Sequence, residues 1–97
     1  MSIKVIGLIQ LNDPKAFEEY RSQVGDTVAL YRGKIASRGS FNAFLWNELN
    51  CDSFSAFVEL EFPSLADSQA WASSPEYQNL LPIRTKAMKL TLFSISV

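Results

Sequence analysis

The sequence predicts an α+β fold in which one four-stranded antiparallel sheet carries its helices on a single face. Three observations lead there. Four segments alternate with the two-residue period of strands, at residues 3–11, from 34 to about 46, 53–62 and 90–97. Between the first two lies an apolar stripe at helical spacing, Phe17, Tyr20, Val24, Val28 and Tyr31. Between the last two lie serine-led helix starts at Ser64 and Ser74. The order is therefore β-α-β-β-α-β.

In IKVIGLIQL (3–11), Ile3, Val5, Ile9 and Leu11 point one way, Lys4 and Gln10 the other, and Ile6 and Leu8 make that second face partly apolar. Gly7 weakens the strand unless it permits a bulge or a close approach. Asp13 caps a helix over about 14–31, with Pro14 at its first position. Gly25 lies inside this helix at a cost of about 1 kcal/mol, and Gly33 is expected as its C-terminal cap. The second strand starts near Lys34, runs through KIASRGS and is expected to continue to about residue 46, before a turn at Asn47–Asn50. In SFSAFVELEF (53–62), Phe54, Ala56, Val58, Leu60 and Phe62 share one face and Ser55, Phe57, Glu59 and Glu61 the other.

Ser64-Leu65-Ala66-Asp67 is a capping box with Asp67 in the usual glutamate position. It opens a short helix with Ala70 and Trp71. Ser74-Pro75-Glu76 opens the next, whose inner side carries Tyr77, Leu80, Leu81, Ala87 and Met88. Pro82 must kink or divide that helix. The final strand, LTLFSISV, places Phe93, Ile95 and Val97 on one face. The whole is the ferredoxin-like split arrangement. Ile6, Leu8 and Phe57 leave the helix-free face too apolar for water. The economical solution is a homodimer that packs two such faces together.

The 97 residues make one domain with a thin core, since a chain of this size buries roughly 60–65% of its unfolded surface. Hydrophobic residues are 47% of the chain, a globular composition. Nine Lys+Arg against ten Asp+Glu give a net charge of −1, which offers no general attraction to nucleic acid or to an anionic membrane. No apolar run reaches the roughly 20 residues of a membrane span. The N-terminus reads as a strand and not a signal peptide. The single cysteine, Cys51, fits a reducing cytoplasm and is expected as a small, half-buried side chain.

The same element order also builds RNA-binding domains, and Ala56-Phe57-Val58-Glu59-Leu60 resembles part of their stacking motif. The first stacking position, however, holds Ser55, and its counterpart in the first strand is Gly7. Base recognition is therefore not expected.

The motifs EFPS (61–64), Ala70-Trp71, SPEYQ (74–78) and LPIR (81–84), with Asp13-Pro14, EEYR (18–21) and Arg38-Gly39, resemble those of the DUF1330 family. The resemblance spans nearly the whole chain. It implies a dimeric α/β-barrel in a superfamily that includes cofactor-free monooxygenases, muconolactone isomerases, haem-binding peroxidases and chlorite dismutases. No general activity is implied for the family itself. Residues 41–53 depart from it. A short hairpin with a Gly-Asp-Trp-like turn is expected there, whereas FNAFLWNELNCD is more apolar and its Trp46 comes earlier.

The chain has no histidine. That removes the commonest general base, imidazole metal sites and the proximal haem ligand, so no cofactor and no metal are expected. Glu59 and Glu61 would repel each other on a half-buried face unless a cation sits nearby. Arg38 and Arg84 are the expected partners. A pocket between helices and sheet is expected to be lined by Arg38, Phe57, Glu61, Tyr77 and Arg84, with Glu61 the candidate catalytic residue. Its ligand would be a small anionic or phenolic molecule, and its chemistry proton transfer, isomerisation or cofactor-free oxygenation. The alternative is a non-catalytic structural or interaction dimer.

Overall fold

The structure is a computed structural model and describes residues 2–97. Strand β1 (Ile3–Leu11) leads through helix α1 (Pro14–Leu30) to β2 (Lys34–Ser40) and β3 (Ala56–Phe62). Helices α2 (Leu65–Ala72), α3 (Pro75–Gln78) and α4 (Leu81–Ala87) precede β4 (Met88–Ser96). The sheet order is β2-β3-β1-β4, with every neighbouring pair antiparallel.

Alternation sorts the sheet into two faces. On the helix side Ile3, Val5 and Ile9 of β1 are buried with Leu60, Phe62 and Met88, and Trp71, Tyr77 and Val28 descend onto them from the helices. Gly7 permits a close approach, because a Cβ there would come 2.7 Å from Val58 Cγ1.

The helix starts follow the capping chemistry. The Asp13 carboxylate accepts from the amides of Lys15 and Ala16. Ser64 Oγ accepts from the Asp67 amide and donates to its carboxylate, which completes the capping box. Ser74 Oγ accepts from the Tyr77 amide and donates to the Trp71 carbonyl. Pro82 divides the last helical segment. It sits in the first turn of α4, where its missing N–H costs nothing, and the break falls just before it.

Three expectations are corrected. The left-handed residue after α1 is Arg32, at φ 67°, and not Gly33. Gly33 is glycine for a packing reason: a Cβ there would lie 2.5 Å from the Phe62 ring and 2.8 Å from Val28. Strand β2 ends at Ser40 and does not run on to 46, and β3 begins at Ala56. Between them Phe41, Phe44 and Phe54 gather into one cluster, with ring centroids 4.4–6.0 Å apart, in place of a ladder. The expected turn at 47–50 is present, with Asn50 at φ 57°. Cys51 is exposed in this loop and not half-buried.

Candidate functional site

A cavity of about 320 Å³ lies between α1 and the sheet. Its roof is the inner stripe of α1, with Phe17, Tyr20 and Val24. Its floor is the helix-facing side of all four strands, where Ile9, Leu60, Leu90 and Leu92 stand. The buried Trp71 also lines it. The exposed lining residues, Arg21, Arg38, Gly39 and Ser40, mark its open side. The walls are mostly apolar. The strongly polar members are the exposed Arg21 and Arg38 and the buried Tyr20.

Arg38 reaches this cavity because of a β-bulge. The β2–β3 register slips between Ile35 and Ser37, so Ala36 is an extra residue. Ile35 pairs with Leu60 and Arg38 with Val58, both helix-facing positions. Without the extra residue, Ser37 would lie opposite Val58 and Arg38 would face away from the helices. Among the described residues Arg38 makes no ion pair. Arg21 binds Glu18 at 3.0 Å and lays its guanidinium 5.8 Å from the Phe17 ring centre.

The remaining expected residues do not converge here. Glu61 faces the opposite side of the sheet and pairs with Lys34 at 3.7 Å, while Glu59 pairs with Lys4 at 2.9 Å. The cations between the two glutamates are thus lysines of β1 and β2, and neither Arg38 nor Arg84. The Glu59 hydrogen bond and charge hold the Lys4 ammonium above its ordinary value. Phe57 borders the cavity, but it is paired with Gly39 across the open face. A Cβ at Gly39 would come 3.0 Å from its ring.

Tyr77 and Arg84 stand behind the cavity and do not line it. Arg84 Nη1 donates to Tyr77 Oη at 2.9 Å, with the guanidinium 5.5 Å from the Tyr77 ring centre. Tyr77 Oη lies 2.9 Å from Tyr20 Oη, and both tyrosines are buried. Burial above all, then the Tyr77 hydroxyl, pushes the Tyr20 phenol well above the ordinary tyrosine value, while the Arg84 charge pulls the other way.

The polar tip of Trp71 is spent inside the core. Its Nε1 donates to Thr27 Oγ1 at 3.0 Å, and Thr27 donates on to the Val24 carbonyl. Tyr31, on the apolar stripe expected of the first helix, is half-buried and its hydroxyl donates to Glu76 at 2.7 Å. Sequence reasoning missed Arg21 and Tyr20 as cavity-lining residues. The signal was there, a hydroxyl on the buried stripe with an arginine beside it.

Among the described residues no group of three or more His, Cys, Asp or Glu side chains could hold a metal ion, and no helix is long and apolar enough to cross a membrane. The family described as Domain of unknown function (DUF1330) matches residues 4–97. No curated protein matches the sequence at a significant level. Solved structures share the fold at low identity. A protein of unknown function from Rhodopseudomonas palustris superposes with a TM-score of 0.76 at 19% identity, covering 99% of this chain and 82% of the other. A dimeric ferredoxin-like protein of unknown function from Thermobifida fusca gives 0.68 at 17%, covering 100% and 92%. SnoaB, a cofactor-independent oxygenase from Streptomyces nogalater, gives 0.69 at 8%, covering 99% and 92%.

Proposed function

Because the chain belongs to the DUF1330 family, a domain whose function is unknown, we propose its role from the cavity: it binds a small apolar molecule that carries an anionic oxygen group, an aromatic carboxylate or a phenolate. One observation carries this reading. An arginine without an ion-pair partner among the described residues stands at the mouth of a mostly apolar cavity of about 320 Å³, a volume within the range of small-molecule sites. The guanidinium fork matches a carboxylate, and its attraction gains strength beside apolar walls. Such a site also favours an enolate or carbanion over its neutral parent, which is what cofactor-free oxygenation or isomerisation asks of a protein. SnoaB, on the same fold, is described as an oxygenase of that kind. Glu61, on the other side of the sheet, supplies no base to this cavity.

The protein would act as a homodimer. The open face presents Ile6, Leu8, Phe57, Phe93 and Ile95, with Phe93 44% and Ile95 41% exposed in the single chain. The molecule is only 18 Å through its short axis, one sheet and one helical layer, and a second copy would provide the missing cover.

Arg38→Ala tests the ligand reading. In a thermal-shift and calorimetric series with benzoate, 2-naphthoate and 2-naphthol, the wild type should be stabilised by at least one carboxylate or phenol. The variant should bind it at least about tenfold more weakly. Its own melting temperature should barely change, since exposed substitutions usually stay within about 0.5 kcal/mol. Equal affinity in both proteins, or no response to any probe, would end the reading. A second reading, a non-catalytic interaction dimer, is favoured by the loop residues Leu45, Trp46 and Leu49, which are 83–91% exposed. It expects Arg38→Ala to change nothing.

A further inference from the structure

The hydrogens of the buried tyrosine pair do not balance within the protein. Arg84 donates only, so Tyr77 Oη is an acceptor toward it. The two hydroxyls share one contact, Tyr20 Oη to Tyr77 Oη at 2.9 Å, and that contact uses one hydrogen. Two hydroxyls carry two. Among the described residues neither oxygen has another side-chain partner. Tyr77 is 2% exposed and lines no part of the cavity, so its hydrogen has only Tyr20 to go to. The chain then runs from Arg84 to Tyr77 to Tyr20, each donating to the next. The hydrogen left over belongs to Tyr20, the one member of the three that lines the cavity.

We infer that Tyr20 is the cavity's buried hydrogen-bond donor, oriented by Tyr77 and Arg84, and that it selects ligands bearing a second oxygen, a ketone or a phenolate, on the apolar body. This rests on the ligand reading above and names the substrate class of the same site. Arg38 is exposed at the mouth and takes the first anionic group. Tyr20 is buried and answers an oxygen carried deeper. The alignment of the relay matters, because a hydroxyl that already accepts from a cation-backed neighbour is a stronger donor onward. Tyr20 would touch the ligand. Tyr77 and Arg84 are positioning residues that act through it. The same placement suits an oxygen on which negative charge develops during reaction.

The test uses the full chain with two probes, 2-naphthoate and 6-hydroxy-2-naphthoate, whose difference is the second oxygen. Calorimetry should show the hydroxy compound bound about tenfold more tightly by the wild type. Tyr20→Phe, which keeps the ring, should bind the two within about twofold of each other. Arg84→Met should reduce the preference part of the way, and Arg38→Ala should weaken both probes alike. Absorbance titration of the bound hydroxy compound gives a readout that a packing role would not move. Its naphthol should ionise at lower pH in the wild type than in Tyr20→Phe, because a donor favours the phenolate. Should Tyr20→Phe fail to fold, the loss of preference in Arg84→Met decides. If 2-naphthoate binds through Arg38 but the hydroxyl brings no preference, or the preference survives Tyr20→Phe, this inference is overturned and the cavity reading stands. If neither probe binds, both are overturned.

Discussion

Single residues in this chain do work that their type does not announce. Gly33 and Gly25 both lie in or near α1, yet their substitutions should move stability in opposite directions. A Cβ at Gly33 would run into the Phe62 ring and Val28, at 2.5–2.8 Å. Gly33→Ala should therefore cost about 1–3 kcal/mol, the range for overpacking a core. A Cβ at Gly25 would meet only Ile35 Cδ1, at an ordinary 3.6 Å. Gly25→Ala should gain about 0.5–1 kcal/mol, because the helix interior no longer holds its most flexible residue. Urea melts of both variants check the pair. The sequence marked both as helix-associated glycines, and neither pattern nor propensity separates them. Phe62 is 29 residues away in the chain, and only packing brings its ring against Gly33.

At the scale of elements, the bulge in β2 is the feature that shapes the candidate site. A regular strand shows every second residue to the helices, and under that rule Arg38 would share the open face with Lys34. Ala36 breaks the rule by one residue and turns Arg38 into the cavity. Deleting Ala36 should restore regular alternation and move Arg38 to the other side. The deletion should then mimic Arg38→Ala in losing affinity for an aromatic carboxylate, while circular dichroism still reports the sheet. A deletion variant that binds as well as the wild type would show that the register shift does not place this guanidinium. Neighbouring elements were easier to read. The serine and aspartate caps of α1, α2 and α3 depend on residues two or three positions apart, and the structure returns each as expected. Residues 41–46 and 53–55 were not legible in this way. Their alternation predicts strand, but Phe41, Phe44 and Phe54 pack into a cluster instead.

The whole molecule presents two unlike sides. One is covered by helices. The other holds a band of Ile6, Leu8, Phe57, Phe93 and Ile95, bordered by the Lys4–Glu59 and Lys34–Glu61 pairs. The broad face measures 34 × 33 Å, ample for the roughly 800 Å² that each partner contributes to a standard interface. We expect a homodimer through this face. Phe93→Glu, which places a charge on each copy within the apolar band, should shift the mass seen by light scattering from two chains to one. It should also remove any dependence of the melting temperature on protein concentration. A wild type that is monomeric at micromolar concentration would refute the arrangement.

The sequence by itself determined the element order, the helix caps, the division at Pro82 and the apolar character of the open face. All of these are written in periods and in near neighbours along the chain. Tertiary structure alone decided where the candidate site residues fell. It sent Glu61 to the lysines, turned Arg38 inward through one extra residue, and set Tyr77 and Arg84 behind Tyr20 instead of beside it. The reason is geometric: a side chain's face follows from counting residues along its strand, and a single bulge or a contact between distant segments resets the count.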